Sequence, residues 1–456
     1  MRLSGRICKL LALAFCLCAP LSVFADDGST SSYSPYSIFG IGDIILPGTA
    51  YNHSMGGVGI ATRSNKYINP INPASVTARD TLSFMADFSV HGENKYFFQG
   101  NVRSVNNVFN VNDCIVSFPI WRSSAMMIGI SPLSGTGFAY RTLYNDKQDP
   151  NYKDVIGRTG SISYEAEGDG GLYQVFAAAG VTFWKRLSLG AEAIYTFGNI
   201  NKRYSQTFSE SSYSGANTYY DITLRVLTGK FGLQYEQPLG KRAKMCIGAT
   251  YRVGNEIGGF VDKYKLSSSS ATSDTLFFHS DTLSMLPVKP RMASEIGVGI
   301  SVRVDDKWML AFDYTRSDWT KSNFDKIDGF TGNTSVKSGK SIFSPAVSES
   351  FRLGFEMVPN KNDIRYYMRT CAYRGGLYYK RDYFKLDGYD IHSFGLTMGM
   401  TFPVFRWHNG LTAALDIGQR GSMPFNVANN LIREWYVNFS VGLNIFDIWF
   451  QKPRYE

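Results

Sequence analysis

The sequence has few charged residues and few histidines, and its cysteines are not spaced for a disulfide framework or a metal site. Charged residues make up 19% of the 456 residues, and only five residues are histidine. The cysteines are too few and too scattered for a disulfide framework, and their spacing matches no metal site. The sequence therefore predicts no cofactor and no metal. The six cysteines are Cys8, Cys16, Cys18, Cys114, Cys246 and Cys371.

The histidines and the glycine-rich stretches form no catalytic motif. Residues 279–281 are His-Ser-Asp, but they lie in a serine-rich stretch without further groups placed to complete a catalytic site. The stretches at residues 40–42 and 56–59 resemble dinucleotide-binding loops, yet no strand-helix unit follows them. Pairs such as residues 305–306 are ordinary turn formers that could bind calcium weakly. We predict that the protein is not an enzyme.

The first 25 residues have the pattern of a secretory signal peptide. Arg2, Arg6 and Lys9 precede an apolar run that contains Pro20 and ends in a small residue, Ala25. A membrane anchor is the less favoured alternative, because Pro20 interrupts the apolar stretch. Cleavage after Ala25 lowers the formal net charge from +9 to +6.

After residue 25 the sequence contains no long apolar run, which excludes membrane-spanning helices. The basic residues are scattered among turns and loops, so nucleic-acid binding gains no support, although contact with lipid phosphates fits. Aromatic residues make up 15%, and there are 44 glycines. The remaining fold class is all-β and exported, either a soluble sandwich or a membrane barrel.

Alternation of apolar and polar residues favours the membrane barrel. In LSLGAEAIYTFG, Leu187, Leu189, Ala191, Ala193 and Tyr195 share one face, opposite smaller or more polar residues. Six short turns alternate with long polar connections, and together with a first and a last strand they give 14 strands. The fold class predicted is a 14-stranded antiparallel transmembrane β-barrel. The long connections are residues 91–107, 141–170, 199–220, 253–292, 317–349, 377–390 and 420–433.

The seven tryptophans fall at predicted strand ends, as residues of a membrane–water interface do. Five fall at the short-turn end and two, Trp319 and Trp435, at the other end. A sandwich would more often bury tryptophan in its core. We therefore predict location in the cell outer membrane, in contact with its lipid. The five are Trp121, Trp184, Trp308, Trp407 and Trp449.

Residues 26–81, ahead of the predicted barrel at 82–456, have little alternation and much Gly, Pro and Asn. They are too apolar for a disordered tail. A barrel of 14 strands has an interior that needs filling. We expect this region to fold inside the barrel as a plug.

The mature chain resembles the FadL/TodX family of outer-membrane transporters of hydrophobic compounds over nearly its whole length. Three stretches carry this resemblance. SMGGVGIATRSNKYINPINPASV is similar to the family's glycine-rich hatch, and FDYTRSDWT is similar to a family strand end. WYVNFSVGLNIFDIWFQKPRYE resembles the branch that includes the secretion-associated PorV proteins. No motif assigns ligand-binding residues. The hatch residues implied are Gly56, Gly57, Asn72, Pro73 and Ala74, and those of the strand motif are Asp313, Tyr314 and Trp319.

The resemblance implies a kinked third strand with an opening in the wall, and the strand count places residues 126–140 in the third strand. Pro132 removes a ladder hydrogen bond, and Gly135 and Gly137 leave little to pack, so the strand is expected to bend there. A lateral gate is one interpretation. A β-bulge that only adjusts the curvature of the barrel is the other.

Two functions remain open from the sequence. One is passive uptake of a hydrophobic molecule, such as a long-chain fatty acid, that leaves sideways through the kinked strand. The other is a non-transporting subunit of a secretion or protein-assembly machine, in which a loop with apolar residues 276–278 docks a protein partner. That loop could equally fold back as a lid.

Overall fold

The chain folds into a closed antiparallel barrel of 14 wall strands, as the sequence predicts. The computed structural model describes residues 32–79, 83–121, 123–145, 153–210, 212–269, 272–305, 307–332, 341–404, 410–422 and 431–448. The predicted signal peptide lies outside these residues. None of the helices within these ranges has the length and hydrophobicity needed to cross a bilayer.

The wall is built from eighteen of the strand segments β1–β19, some of which combine into one wall strand. The pairs β4 and β5, β9 and β10, β11 and β12, and β14 and β15 each form one wall strand. Pairing of β19 with β2 closes the barrel. The bounds are β1 Asp43–Ile44, β2 Ser83–Gln99, β3 Val102–Trp121, β4 Ser124–Gly135, β5 Phe138–Tyr144, β6 Ile162–Phe183, β7 Leu187–Phe208, β8 Gly215–Leu239, β9 Ala243–Arg252, β10 Gly258–Ser269, β11 Thr272–Thr282, β12 Glu295–Val304, β13 Trp308–Asp318, β14 Phe343–Pro345, β15 Val347–Met357, β16 Ala372–Leu386, β17 Tyr389–Pro403, β18 Gly410–Ser422 and β19 Arg433–Ile448.

Helical elements are short. They are α1 (Ala50–His53), α2 (Lys153–Thr159) and the 3₁₀ turns Pro35–Ile38, Pro73–Thr77, Leu283–Met285, Phe324–Lys326 and Tyr367–Arg369. The first two 3₁₀ turns begin with proline after a capping side chain, Ser34 or Asn72, which accepts a backbone N–H of the turn.

Strict alternation on β19 gives the barrel an apolar outside and a polar inside. Trp435, Val437, Phe439, Val441 and Leu443 are 36–50% exposed on the outer face. The residues between them point inward and are buried, and most are polar. An outer surface of this kind is suited to lipid, and the inner face to a hydrated or polar lumen.

Four of the predicted long connections are wrong, because strands continue through them. Most of residues 199–220 belongs to β7 and β8, and most of residues 253–292 belongs to β10 and β11. Residues 91–107 belong to β2 and β3, which meet at a turn at Gly100 and Asn101. Residues 377–390 belong to β16 and β17, which meet at Asp387 and Gly388. Asp387 and Gly388 both have positive φ, 50° and 83°, as a tight hairpin turn requires.

The tryptophans fall into two groups in the structure. Trp121, Trp184 and Trp308 lie at the short-turn end and Trp435 at the opposite end, all of them exposed, while Trp407 and Trp449 lie outside the described residues. Trp319 was predicted to face the membrane interface, and this is wrong. Its ring is 5% exposed and packs on Phe324 and Tyr383, because the chain folds back over the barrel end there.

Candidate functional site

Residues 32–79, called here the N-terminal segment, contact the inner faces of strands around the barrel. Inward-facing glycines make room for them, since a Cβ on Gly376 would lie 2.3 Å from the Met55 carbonyl carbon and one on Gly248 2.2 Å from the Ile60 oxygen. The contacts reach opposite parts of the wall, from β7 to β19.

The predicted hatch residues lie in this segment and touch the wall. The Asn72 side chain accepts from Ala74 N and donates to the Ile60 and Leu233 oxygens. Pro73 and Ala74 fill the space above Gly190 on β7. Gly56 and Gly57 have positive φ, 69° and 77°, and Gly56 N donates to the Thr397 hydroxyl at 2.7 Å.

The three residues of the predicted strand motif do not meet in one place. The Asp313 carboxylate on β13 accepts the backbone N–H of Gly59 at 2.6 Å and of Ile60 at 2.9 Å. Tyr314 donates to Glu349 near the outer face of the barrel, and Trp319 lies in the aromatic cluster described below. Within the motif, Asp313 is the residue that joins the wall to the N-terminal segment.

The third wall strand is interrupted where Pro132, Gly135 and Gly137 lie. The pairing of β4 with β6 slips by one residue between Pro132 and Ser134, so the strand contains a bulge. β4 then ends at Gly135, and β5 begins at Phe138. The pairing of β3 with β4 already stops at Cys114 and Ile130. The wall strand thus has both a bulge and a break.

Beyond Ile130, β4 pairs with the N-terminal segment in place of β3. Asp43 and Ile44 of β1 are in register with Gly135 and Ser134, and Ile45 N donates to Leu133 O at 3.0 Å. Ser34 N donates to Gly137 O at 2.7 Å, and Gly137 N donates to the Ser37 hydroxyl at 3.0 Å. Backbone groups at the break are therefore satisfied by the N-terminal segment, as a site within a membrane wall requires.

A buried charge cluster joins the same segment to β16, β18 and β19. Arg420 on β18 contacts Asp382 at 2.7 Å and Asp43 at 2.9 Å, and its guanidinium lies over the Tyr36 ring. Glu434 accepts a hydrogen bond from Ser34. Arg420 was not predicted as a site residue, because residues 420–433 were predicted to be a long connection, whereas β18 extends to Ser422. Continued alternation along β18 is the signal that identifies it as inward-facing.

A cavity of about 270 Å³ lies between the N-terminal segment and the wall. Next to the break its lining includes apolar side chains, Leu133, Phe176 and Ile194 from the wall and Ile44 and Leu46 from the segment, together with the carboxylates of Asp43 and Asp113. Away from the break the lining is strongly charged. The charged side chains there are Glu93, Lys95, Arg352, Lys380, Asp382, Asp416, Arg420 and Glu434.

His53, in α1 of the N-terminal segment, also lines this cavity. Burial, and next to it the neighbouring His91, lower the pKa of His53 to about 3. Its ring nitrogens lie 3.2 Å from the Ser440 hydroxyl and 3.1 Å from the Leu46 oxygen. This histidine is therefore neutral near pH 7 and adds no positive charge to the cavity.

The two ends of the barrel differ. At the long-connection end, an aromatic cluster packs Phe39 of the N-terminal segment against Phe343 and Phe384, and Trp319 against Tyr383. At the short-turn end, a second cavity of about 820 Å³ is lined by polar and basic side chains, among them Arg63, Arg79 and Arg303. The first cavity is thus covered on one side by aromatic packing and on the other by the segment.

No group of three or more His, Cys, Asp or Glu side chains in the described ranges is arranged to hold a metal ion.

Known structures share this architecture at low sequence identity. The toluene transporter TbuX of Ralstonia pickettii superposes with a TM-score of 0.57 at 16% identity, over 88% of this chain and 98% of that one. The monoaromatic hydrocarbon channel CymD gives 0.56 at 13%, over 89% and 99%. A Pseudomonas aeruginosa FadL homologue gives 0.52 at 12%, over 89% and 99%. The resemblance to the FadL/TodX family is confirmed at the level of the fold.

No match was found among curated protein sequences. One family profile, that of BamG, matches residues 7–456, which is nearly the entire chain. BamG is a different family name from FadL/TodX. The likeness of fold to FadL/TodX-type transporters and the match to the BamG family are therefore separate findings. The chain belongs to the BamG family.

Proposed function

We propose that the protein is an outer-membrane barrel that takes up a small hydrophobic or amphipathic molecule, such as a long-chain fatty acid, and releases it sideways through the break in the third wall strand. The observation that carries this proposal is the position of the apolar part of the cavity lining, which lies directly beside the break. A molecule in this cavity has an apolar route towards lipid and a charged surface behind it.

The two-sided lining fits a molecule with one polar end. Each CH₂ group that leaves water gains about 0.8 kcal/mol, so an alkyl chain is favoured beside Leu133 and Phe176 and in the bilayer beyond them. A carboxylate or similar head group is favoured beside Arg420, Lys380 and Lys95. The passage from cavity to membrane avoids exposing the chain to water.

Release requires β1 to leave β4 and the hydrogen bonds of Ser34 and Ser37 with Gly137 to open. β1 is two residues long, and a backbone hydrogen bond contributes a net of about 0.5–1.5 kcal/mol. The break can therefore open without unfolding of the barrel, provided that the Arg420 cluster also releases Asp43. The N-terminal segment would act as the moving part.

A second candidate is a non-transporting subunit of an outer-membrane secretion or protein-assembly machine. Within the described strand ladders, residues 102–109 of β3 have their partners on β2 only, and Val102, Val105 and Phe109 are 55–68% exposed. A strand edge of this kind can pair with a strand of another protein. Phe277 and Phe278 are also exposed on β11, as a docking loop requires, while the side chain of Leu276 lies outside the described residues.

Mass spectrometry of the tagged protein, purified from its own outer membrane in mild detergent, distinguishes the two functions. For uptake we expect the barrel to emerge without stoichiometric protein partners and to carry an amphipathic lipid or hydrocarbon. Partner proteins in fixed ratio, with no bound small molecule, would instead support the machine subunit. A matched sample with Leu133→Arg, which places a charge in the apolar lining, should lose the small molecule.

A further inference from the structure

Two aspartates lie side by side on the inner wall, where the first and last wall strands meet. Asp87 on β2 is 5% exposed and Asp113 on β3 is 1% exposed, and the two are diagonal neighbours, since the register partner of Asp113 is Ser89, two residues after Asp87. Asn444 on β19 is the register partner of Asp87, and it donates to Asp87 Oδ2 at 3.5 Å. These three side chains belong to consecutive strands, across the closure of the barrel.

A β-bulge shapes this part of the wall. The register of β2 and β3 shifts between Ser89 and Val90, so Asn112 is an extra residue on β3. Asn112 and Asp113 are consecutive, yet both are buried on the inner side. A bulge that turns a second polar side chain inward is typical of functional positions in sheets. Asn112 donates to Asp113 Oδ2 at 2.7 Å and to the Gly48 oxygen of the N-terminal segment at 3.2 Å.

Three oxygen atoms of this group are buried and accept no hydrogen bond from the described residues. They are Asp87 Oδ1, Asp113 Oδ1 and Asn444 Oδ1. Among the described residues, neither Asp87 nor Asp113 has a basic side chain as an ion-pair partner. Two adjacent carboxylates without a counter-charge are unfavourable away from water, and they require either a proton or a cation.

We propose that Asp87, Asp113 and Asn444 bind a divalent cation, with Ca²⁺ as the best fit. Carboxylate and amide oxygens are hard ligands, and Ca²⁺ accepts irregular shells of such oxygens completed by water. Asp113 lines the cavity of about 270 Å³ between the N-terminal segment and the wall, from which water can reach the site. A shared proton satisfies one oxygen of each carboxyl group, whereas a cation neutralises the pair, and rotation of the Asn444 amide by about 180° would bring Oδ1 in place of Nδ2 towards Asp87. The bound ion ties β19, β2 and β3 together at the closure of the barrel.

The test is calorimetric titration of CaCl₂ into the full-length protein after removal of metals by a chelator. We expect one binding event in the wild type. Asp87→Asn and Asp113→Asn keep the side-chain shape and remove one charge, and each should weaken binding at least about tenfold. Asn444→Asp adds a third carboxylate and should tighten it. Glu192→Gln is the matched control, because Glu192 is also a buried inner-wall carboxylate but lies near Lys230 and Arg252.

Heat-modifiable migration on gels shows whether each variant is folded. If Asp87→Asn or Asp113→Asn does not fold, the tighter binding expected of Asn444→Asp still tests the proposal. Absence of binding in the wild type overturns the proposal and leaves a shared proton as the state of the pair. Binding that is unchanged in Asp87→Asn and Asp113→Asn, or equally reduced in Glu192→Gln, also overturns it. The test does not depend on transport activity.

Discussion

At the scale of single residues, Asp313 joins the barrel wall to the N-terminal segment. Its carboxylate accepts the Gly59 and Ile60 N–H groups, both of which are buried. Asp313→Ala should leave these two donors without an acceptor, at a cost of about 1–3 kcal/mol each. We expect faster hydrogen exchange of residues 55–62, measured by mass spectrometry in detergent, with little change in the wall strands.

Tyr314→Phe is the matched control for this change. Tyr314 is adjacent in sequence, but its hydroxyl donates to Glu349 and, among the described residues, forms no hydrogen bond with the N-terminal segment. Exchange in residues 55–62 should equal that of the wild type. Equal protection in Asp313→Ala would show that the carboxylate does not hold the segment.

At the scale of elements, the pairing of β1 with β4 closes the break in the third wall strand. Ile44 and Ser134 are in register, so cysteines at both positions can form a disulfide. In a background without Cys114, Cys246 and Cys371, Ile44→Cys with Ser134→Cys should block uptake of radiolabelled oleate by outer-membrane vesicles. A reductant should restore uptake, because it releases β1.

Thr196→Cys with Val226→Cys provides the control cross-link, since these positions are in register on β7 and β8, which stay paired. Uptake should be insensitive to oxidation in this variant. Oleate uptake that continues when β1 is cross-linked to β4 would exclude lateral release at this break.

At the scale of the whole molecule, we expect the N-terminal segment to determine how much of the lumen is open. Deletion of residues 26–79 removes the contacts to Gly190, Gly248 and Gly376 and exposes inner charges such as Asp313 and Arg420 to water. The wall ladder does not include the segment except at β1, so the barrel should still close. We expect ion conductance in planar bilayers for the deletion variant and little for the full chain. Equal conductance of the two would contradict the interpretation of the segment as a plug.

Part of this architecture could be predicted because the signals are local. Alternation on strands such as β19 and the short turns gave the strand number and the fold class. The Asp387-Gly388 turn was not predicted, although Asp-Gly is a strong hairpin signal, because the polar residues around it are equally typical of a loop. Trp319 was misplaced because its burial depends on distant residues, Phe324 and Tyr383, that only the folded chain brings to it.

The sequence by itself determined the barrel, because a period of two and turn chemistry act between neighbouring residues. It also located the unusual third strand, since proline and glycine restrict the backbone wherever they occur. Only the tertiary structure decided which segment pairs with the backbone of that strand at its break. That segment is β1, which lies about 90 positions earlier in the chain. It also decided that Asp87, Asp113 and Asn444 are neighbours, because barrel closure joins the two ends of the chain. Such contacts depend on register and closure, and no local pattern specifies them.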